Sequence, residues 1–218
     1  PENYYKKMVL VYLEPQYPSE GMAAVAATSK QVEESFGQQP HHNLRFGVDT
    51  ELFAPYPMVR ADDKFHVGSR NIWIDPDGDS VWAEQARKYK LKETLEEWPG
   101  IVLFGEIYGR TQSLHYGRKD NDLVIYDAYD SNTGKYVYYE WVEVFCLMKY
   151  LPYPPVLYRG EFSVDIAYYL SSGNSLVEHA DHMREGIVIR PRIPRWDYDI
   201  GNVVLKLINE DYLLSKKS

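Results

Sequence analysis

Apolar or alternating runs of roughly four to eight residues recur along the chain, each closed by glycine, proline or a short polar turn. None reaches the ~20 residues needed to cross a bilayer. Runs this short, at this density, read as strands with a few helices. Strands are expected over 9–13, 24–30, 43–48, 64–67, 101–107, 123–128, 186–190 and 203–208. Helices are expected over 80–89, capped by Asp79, over 91–97, stopped by Pro99-Gly100, over 139–150, and over 163–170, capped by Ser163. In the third helix Trp141, Val144, Phe145 and Met148 have the spacing of one apolar face. No repeat, low-complexity segment or linker interrupts the pattern. The expected class is α+β, mainly antiparallel sheets with peripheral helices, in one domain over 1–218.

Composition narrows the function classes. The 218 residues are 44% hydrophobic, enough for a core, and include 20 tyrosines. Tyrosine suits a half-wet groove, since its ring packs while its hydroxyl stays hydrated. The net charge of −8 argues against strong non-specific binding to long nucleic acid, although a local basic groove can sit on an acidic body. The single cysteine, Cys146, lies in an apolar run; it reads as core and points to the cytoplasm or another reducing compartment. The opening residues, Pro-Glu-Asn-Tyr-Tyr-Lys-Lys, do not have the form of a signal peptide.

Three stretches carry chemistry. In Phe104-Gly105-Glu106-Ile107-Tyr108-Gly109 a strand holds a carboxylate between glycines, which let a backbone approach a ligand closely. In Arg184-Glu185-Gly186-Ile187-Val188-Ile189-Arg190 a carboxylate precedes glycine and a buried strand. In Val203-Val204-Leu205-Lys206-Leu207-Ile208 one lysine sits among aliphatics, where an ammonium either faces outward or needs a partner. Two acids and a lysine on three strands make a site for a metal and a polyphosphate. His41 and His42 read as solvated loop residues, and His179 and His182 beside Asp181 as part of a helix or loop before the Glu185 strand.

In this order the three stretches resemble the nucleotidyltransferase motifs of covalent ligases and capping enzymes. The likeness is greatest to the RNA-ligase branch typified by the second phage T4 ligase and the editing ligases of trypanosomes. Phe65-His66-Val67-Gly68-Ser69-Arg70-Asn71 resembles that branch's arginine motif, and Leu123-Val124-Ile125-Tyr126-Asp127 its base-stacking strand. The resemblance implies ATP with Mg²⁺ or Mn²⁺, RNA ends as substrate, and a three-step reaction. A lysine attacks the α-phosphorus and releases pyrophosphate; AMP passes to an RNA 5′-phosphate; a 3′-hydroxyl attacks and releases AMP. By the same resemblance Glu106 holds the ribose, Glu185 binds the metal and Lys206 contacts the α-phosphate. Arg70 contacts phosphate, Tyr126 stacks on adenine with Val124 as the competing register, and Arg45 joins the nucleotide-binding set.

The nucleophile motif departs from the family, which expects Lys-x-x-Gly. Ala26-Ala27-Thr28-Ser29-Lys30 resembles the strand entering it and His42-Asn43-Leu44-Arg45-Phe46-Gly47 the strand leaving it, with extra residues between. Counting back from Asn43 reaches Gln38, which cannot attack; counting forward reaches Lys30, the preferred nucleophile. The family often places two lysines in its last motif. Here Lys206 stands alone: either it is the first and Ile208 holds the second position, or it is the second and Val204 holds the first. A ligase-fold protein that binds nucleotide or RNA ends without catalysis is the main alternative. A DNA ligase or capping-type transferase is the other, opposed by the short stretch after Lys206, which leaves no room for an OB domain. The acidic balance leaves room for a partner protein or further domain that grips RNA.

Overall fold

The computed structural model describes residues 8–11, 46–47, 64–69, 72–110, 115–197 and 201–215. The expected strand over 24–30 lies outside them. In chain order the strands and helices are β1 (Met8–Val11), β2 (Phe46–Gly47), β3 (Val67–Ser69), β4 (Ile72–Ile74), α1 (Val81–Lys88), α2 (Leu91–Glu96), β5 (Ile101–Gly109), β6 (Asn121–Asp130), β7 (Lys135–Tyr136), α3 (Tyr139–Lys149), β8 (Val156–Gly160), α4 (Val164–Ser171), β9 (Gly186–Pro191), β10 (Trp196–Asp197), β11 (Gly201–Asn202), β12 (Leu205–Ile208) and α5 (Glu210–Ser215). The described strand pairs are all antiparallel and the helices flank them, so the class is the α+β one the run pattern implies. The chain divides into two compact units: Pro1–Pro55 with Pro155–Val177 and Asp181–Ser218, and Tyr56–Pro154 with Glu178–Ala180.

The first unit is built on a five-stranded sheet in the order β2-β12-β9-β1-β8. Alternation decides its faces. Ile187 and Ile189 of β9 pair with Leu207 and Leu205 of β12 and form a core with Ala167 of α4. Each such aliphatic contributes about 1.5–3 kcal/mol by leaving water. Val188, Arg190 and Lys206 alternate to the other face, and they too are buried. Both faces of β9 and β12 are therefore covered. Gly186 opens β9 because a side chain there would strike the carbonyl of Leu207 and the Cα of Ile208. In α4, Ser163 occupies the N-cap position as expected but makes no side-chain cap bond.

The second unit holds the three-stranded sheet β5-β6-β7. The register of β5 on β6 slips between Phe104 and Gly105, a bulge in β6 that leaves Tyr126 without a register partner. Helix α3 packs Val142, Phe145 and Cys146 inward. This corrects the face read from spacing: Val144 and Met148 are exposed, while Tyr139 joins the buried stripe and bonds the Pro154 carbonyl at 3.1 Å. The cause is aromatic packing at the start of the helix, where Trp98 meets Trp141 and Phe145 edge-on. Helix α1 begins one residue later than expected, and Ser80 rather than Asp79 caps it, accepting from the Ala83 amide at 3.1 Å.

Candidate functional site

The two acid-bearing strands differ in how they are held. In the first unit Glu185 immediately precedes β9 and is buried. Its Oε1 accepts from the Tyr212 hydroxyl at 2.5 Å, and its carbonyl accepts from the Asn209 amide at 2.8 Å. Asn209 also donates from its side chain to the Arg184 carbonyl at 2.9 Å. The step from β12 into α5 thus clamps the step into β9. Lys206 pairs with Val188 on β9 and with Gly47 on β2. The unit therefore places Glu185, just before β9, three residues along the chain from Val188, the partner of Lys206 on β9; one is an acid and one a base, and both are buried.

In the second unit Glu106 lies in the middle of β5, opposite Val124 on β6. It is half-buried. Gly105 before it is required by contact, since a Cβ would come within 2.9 Å of the Val124 carbonyl oxygen. Tyr126, the expected base-stacking residue, sits at the bulge and is buried, whereas Val124 is the residue paired with Glu106. Lys30, Arg45 and Arg70 lie outside the described residues.

Two residues beyond Glu106 on the same face, Tyr108 pairs with Asp122. Asp122 is buried and collects donors from five groups. Oδ1 accepts from Lys88 Nζ at 2.8 Å, from the Tyr89 hydroxyl and from the Leu123 amide at 3.0 Å. Oδ2 accepts from Arg118 Nη1 at 2.7 Å and the Tyr108 hydroxyl at 3.4 Å. Burial pushes the Asp122 carboxyl up, but the bonds from Lys88, Tyr89 and Leu123 outweigh it and hold the group below 3.8. Burial, then the neighbouring Asp122 charge, raises the Tyr108 phenol to about 12. Sequence reading missed this cluster. Its members are 34 residues apart at Lys88 and Asp122, and no spacing rule links a helix end to a strand start across that distance.

His179 is exposed, and His182 turns Nδ1 to the Met183 carbonyl at 2.9 Å. Among the described residues no group of three or more His, Cys, Asp or Glu side chains is placed to hold a metal.

The family model for RNA ligase matches residues 42–208. The chain belongs to the RNA ligase family. The match spans Glu106, Tyr126, Glu185 and Lys206. Solved structures of a Naegleria gruberi RNA ligase share the fold: a point mutant with ATP and Mn at TM-score 0.60 and 22% identity, another with AMP and Mn at 0.60 and 23%, and the protein with PPi at 0.61 and 23%. These alignments cover 72% of this chain and 46–47% of the Naegleria chain, so this chain spans about half the length of the ligases it matches. No curated protein sequence matches. No described helix is long and apolar enough to cross a membrane.

Proposed function

We propose that the chain is the nucleotidyltransferase part of an ATP-dependent RNA ligase, of the branch typified by the second phage T4 ligase. It joins RNA 5′-phosphate and 3′-hydroxyl ends through lysyl-AMP and RNA-adenylate. The observation that carries this reading is the family match over 42–208, within which Glu185 leads into β9 and Lys206 lies on the strand paired with it. The Naegleria ligases bound to ATP, AMP and Mn support the choice of nucleotide and metal.

In this reading Lys30 is the nucleophile. It must lose a proton before it attacks the α-phosphorus, so its site lowers its pKa through nearby cations or desolvation. The new N–P bond forms as the bond to pyrophosphate breaks. Lys206 neutralises charge on the α-phosphate from a strand that neighbouring strands hold rigid. Arg45 and Arg70 add phosphate contacts, Glu106 fixes the ribose and Tyr126 the adenine. Glu185 holds the divalent ion. One buried carboxylate is a donor set that suits Mg²⁺ or Mn²⁺, which keeps waters and takes its other ligands from phosphate oxygens. When bound, the ion neutralises phosphate charge. Cys146 is fully buried, with burial raising its thiol to about 12; a reducing compartment such as the cytoplasm is part of the same proposal.

The test is incubation with α-labelled ATP and Mg²⁺ or Mn²⁺, followed by denaturation. Label is expected to stay on the protein and to vanish in Lys30→Ala. Equal labelling of that variant overturns the nucleophile. No labelling with either metal favours the non-catalytic reading, and labelling by GTP instead of ATP favours the capping one.

A further inference from the structure

The Asp122 cluster does more than hold a strand start. It presents two cations, and three features of its geometry identify what they meet. The first is charge. One buried carboxylate faces two cations, Lys88 and Arg118. The second is exposure. The carboxylate side chain is 7% exposed, but the Lys88 and Arg118 side chains are 47% and 36% exposed, so the anion lies beneath and the cations face water. Each cation also lies against a tyrosine ring, Lys88 at 4.9 Å from the centroid of Tyr89 and Arg118 at 5.1 Å from that of Tyr108. Two flexible side chains are thereby fixed before any ligand arrives, which lowers the entropy cost of binding.

The third feature is unused donor capacity. An ammonium has three donors and a guanidinium five, and Asp122 takes one from each. Arg118 Nε is shielded from water and has no acceptor among the described residues. Nearby Arg87 is different: its Nη1 is spent on the Pro76 and Gly78 carbonyls at 2.6 and 2.9 Å. Lys119 and Asp120 next to Arg118 are both exposed and offset one another.

We propose that Lys88 and Arg118, fixed by Asp122 at the end of β5 and β6, form a docking site for the phosphodiester backbone of an RNA strand. This rests on the RNA ligase reading for the identity of the strand. Tyr108 and Asp122 lie two residues along the strands from Glu106, about 7 Å on the same sheet face. A strand held there runs beside the residue assigned to the ribose. The same chemistry could take the triphosphate of ATP, but that reading assigns the nucleotide's phosphates to Lys206, Arg45 and Arg70.

The experiment is anisotropy of a labelled 5′-phosphorylated single-stranded RNA with the full chain, over a series of salt concentrations. ATP affinity is measured separately by equilibrium dialysis. Lys88→Ala with Arg118→Ala is expected to weaken RNA binding on the order of ten-fold and to flatten the salt slope by about 1.4, or 0.7 per lost contact. Lys88→Arg should keep wild-type affinity, and Lys135→Ala, an exposed cation on β7, should change nothing. Circular dichroism and the unfolding midpoint check that the double variant folds; if it does not, Lys88→Ala alone carries the test with half the slope change. An unchanged affinity and slope, a wild type that binds no RNA, or a loss confined to ATP overturns the proposal. Lysyl-AMP formation by the wild type is read without RNA, so failure of the ligase reading and failure of this site give different results.

Discussion

Glu185 and Glu106 both sit beside a glycine that lets a neighbouring backbone close in, yet the two sheets use them differently. Glu185 is sealed at the mouth of a strand, bonded by Tyr212 and flanked by backbone bonds from Asn209. Glu106 is half-buried in mid-strand with Tyr108 and Asp122 beyond it. The first carboxylate is part of what holds its unit together; the second rides on a strand whose core lies elsewhere. A carboxylate of the first kind couples any change in activity to a change in stability, and one of the second kind does not.

The largest effect that sharpens this contrast is in the first sheet's core. Ile189→Ala should lower unfolding free energy by about 2–5 kcal/mol in urea titration, because Ile189 is fully buried against Ala167. An effect under 1 kcal/mol would mean that this core is not what stabilises the sheet. Next come the acids themselves. Glu185→Ala leaves the buried Tyr212 hydroxyl without its acceptor and should cost about 1–3 kcal/mol as well as lysyl-AMP formation. Glu106→Ala should lose lysyl-AMP formation with a smaller loss of unfolding free energy than Glu185→Ala, since Glu106 is only half-buried. Equal stability losses in the two variants would erase the contrast.

A smaller effect is set by pH. The folded Asp122 carboxyl lies below 3.8, so it binds protons less readily folded than unfolded. Its contribution to stability is complete above about pH 3.8 and is lost as pH falls through the lower folded value. Asp122→Asn should flatten the acid limb of a stability–pH curve; an unchanged limb would show that Lys88 and Arg118 do not stabilise the ionised form. The smallest is at Cys146. Its buried thiol should react with a disulfide reagent only as fast as the protein opens, and at a free-thiol rate once denaturant is added. Fast reaction in buffer would mean that the α3–β6 packing is loose.

Much of this was legible in the sequence, for identifiable reasons. Strands β5, β6, β9 and β12 announce themselves because both of their faces carry apolar residues, and the acids stand out against that background. Strands β7, β10 and β11 are two residues long, too short for alternation to show. The buried face of α3 was misread because Val144 and Met148 are as apolar as Val142 and Cys146; only the tertiary partner chooses between the stripes. Tyr212 gave no signal, since its role depends on a helix turning back toward Glu185. The Asp122 cluster was invisible for the same reason, being assembled from α1, β5, β6 and the turn between the two strands.

The strand order of the five-stranded sheet also sets a schedule. Met8 of β1 pairs with Gly160 of β8 and Pro191 of β9, so the first described strand made by the ribosome waits for residues 152 and 183 positions later. At about 5–20 residues per second, that wait is roughly 8–40 s. The residues of the second unit emerge within it and can close their own hairpin first, while β1 travels unpaired. A newborn chain therefore carries an unpaired apolar strand until residues 156–160 emerge, and a chaperone that shields that early segment should raise the yield of folded protein more than one that acts after release.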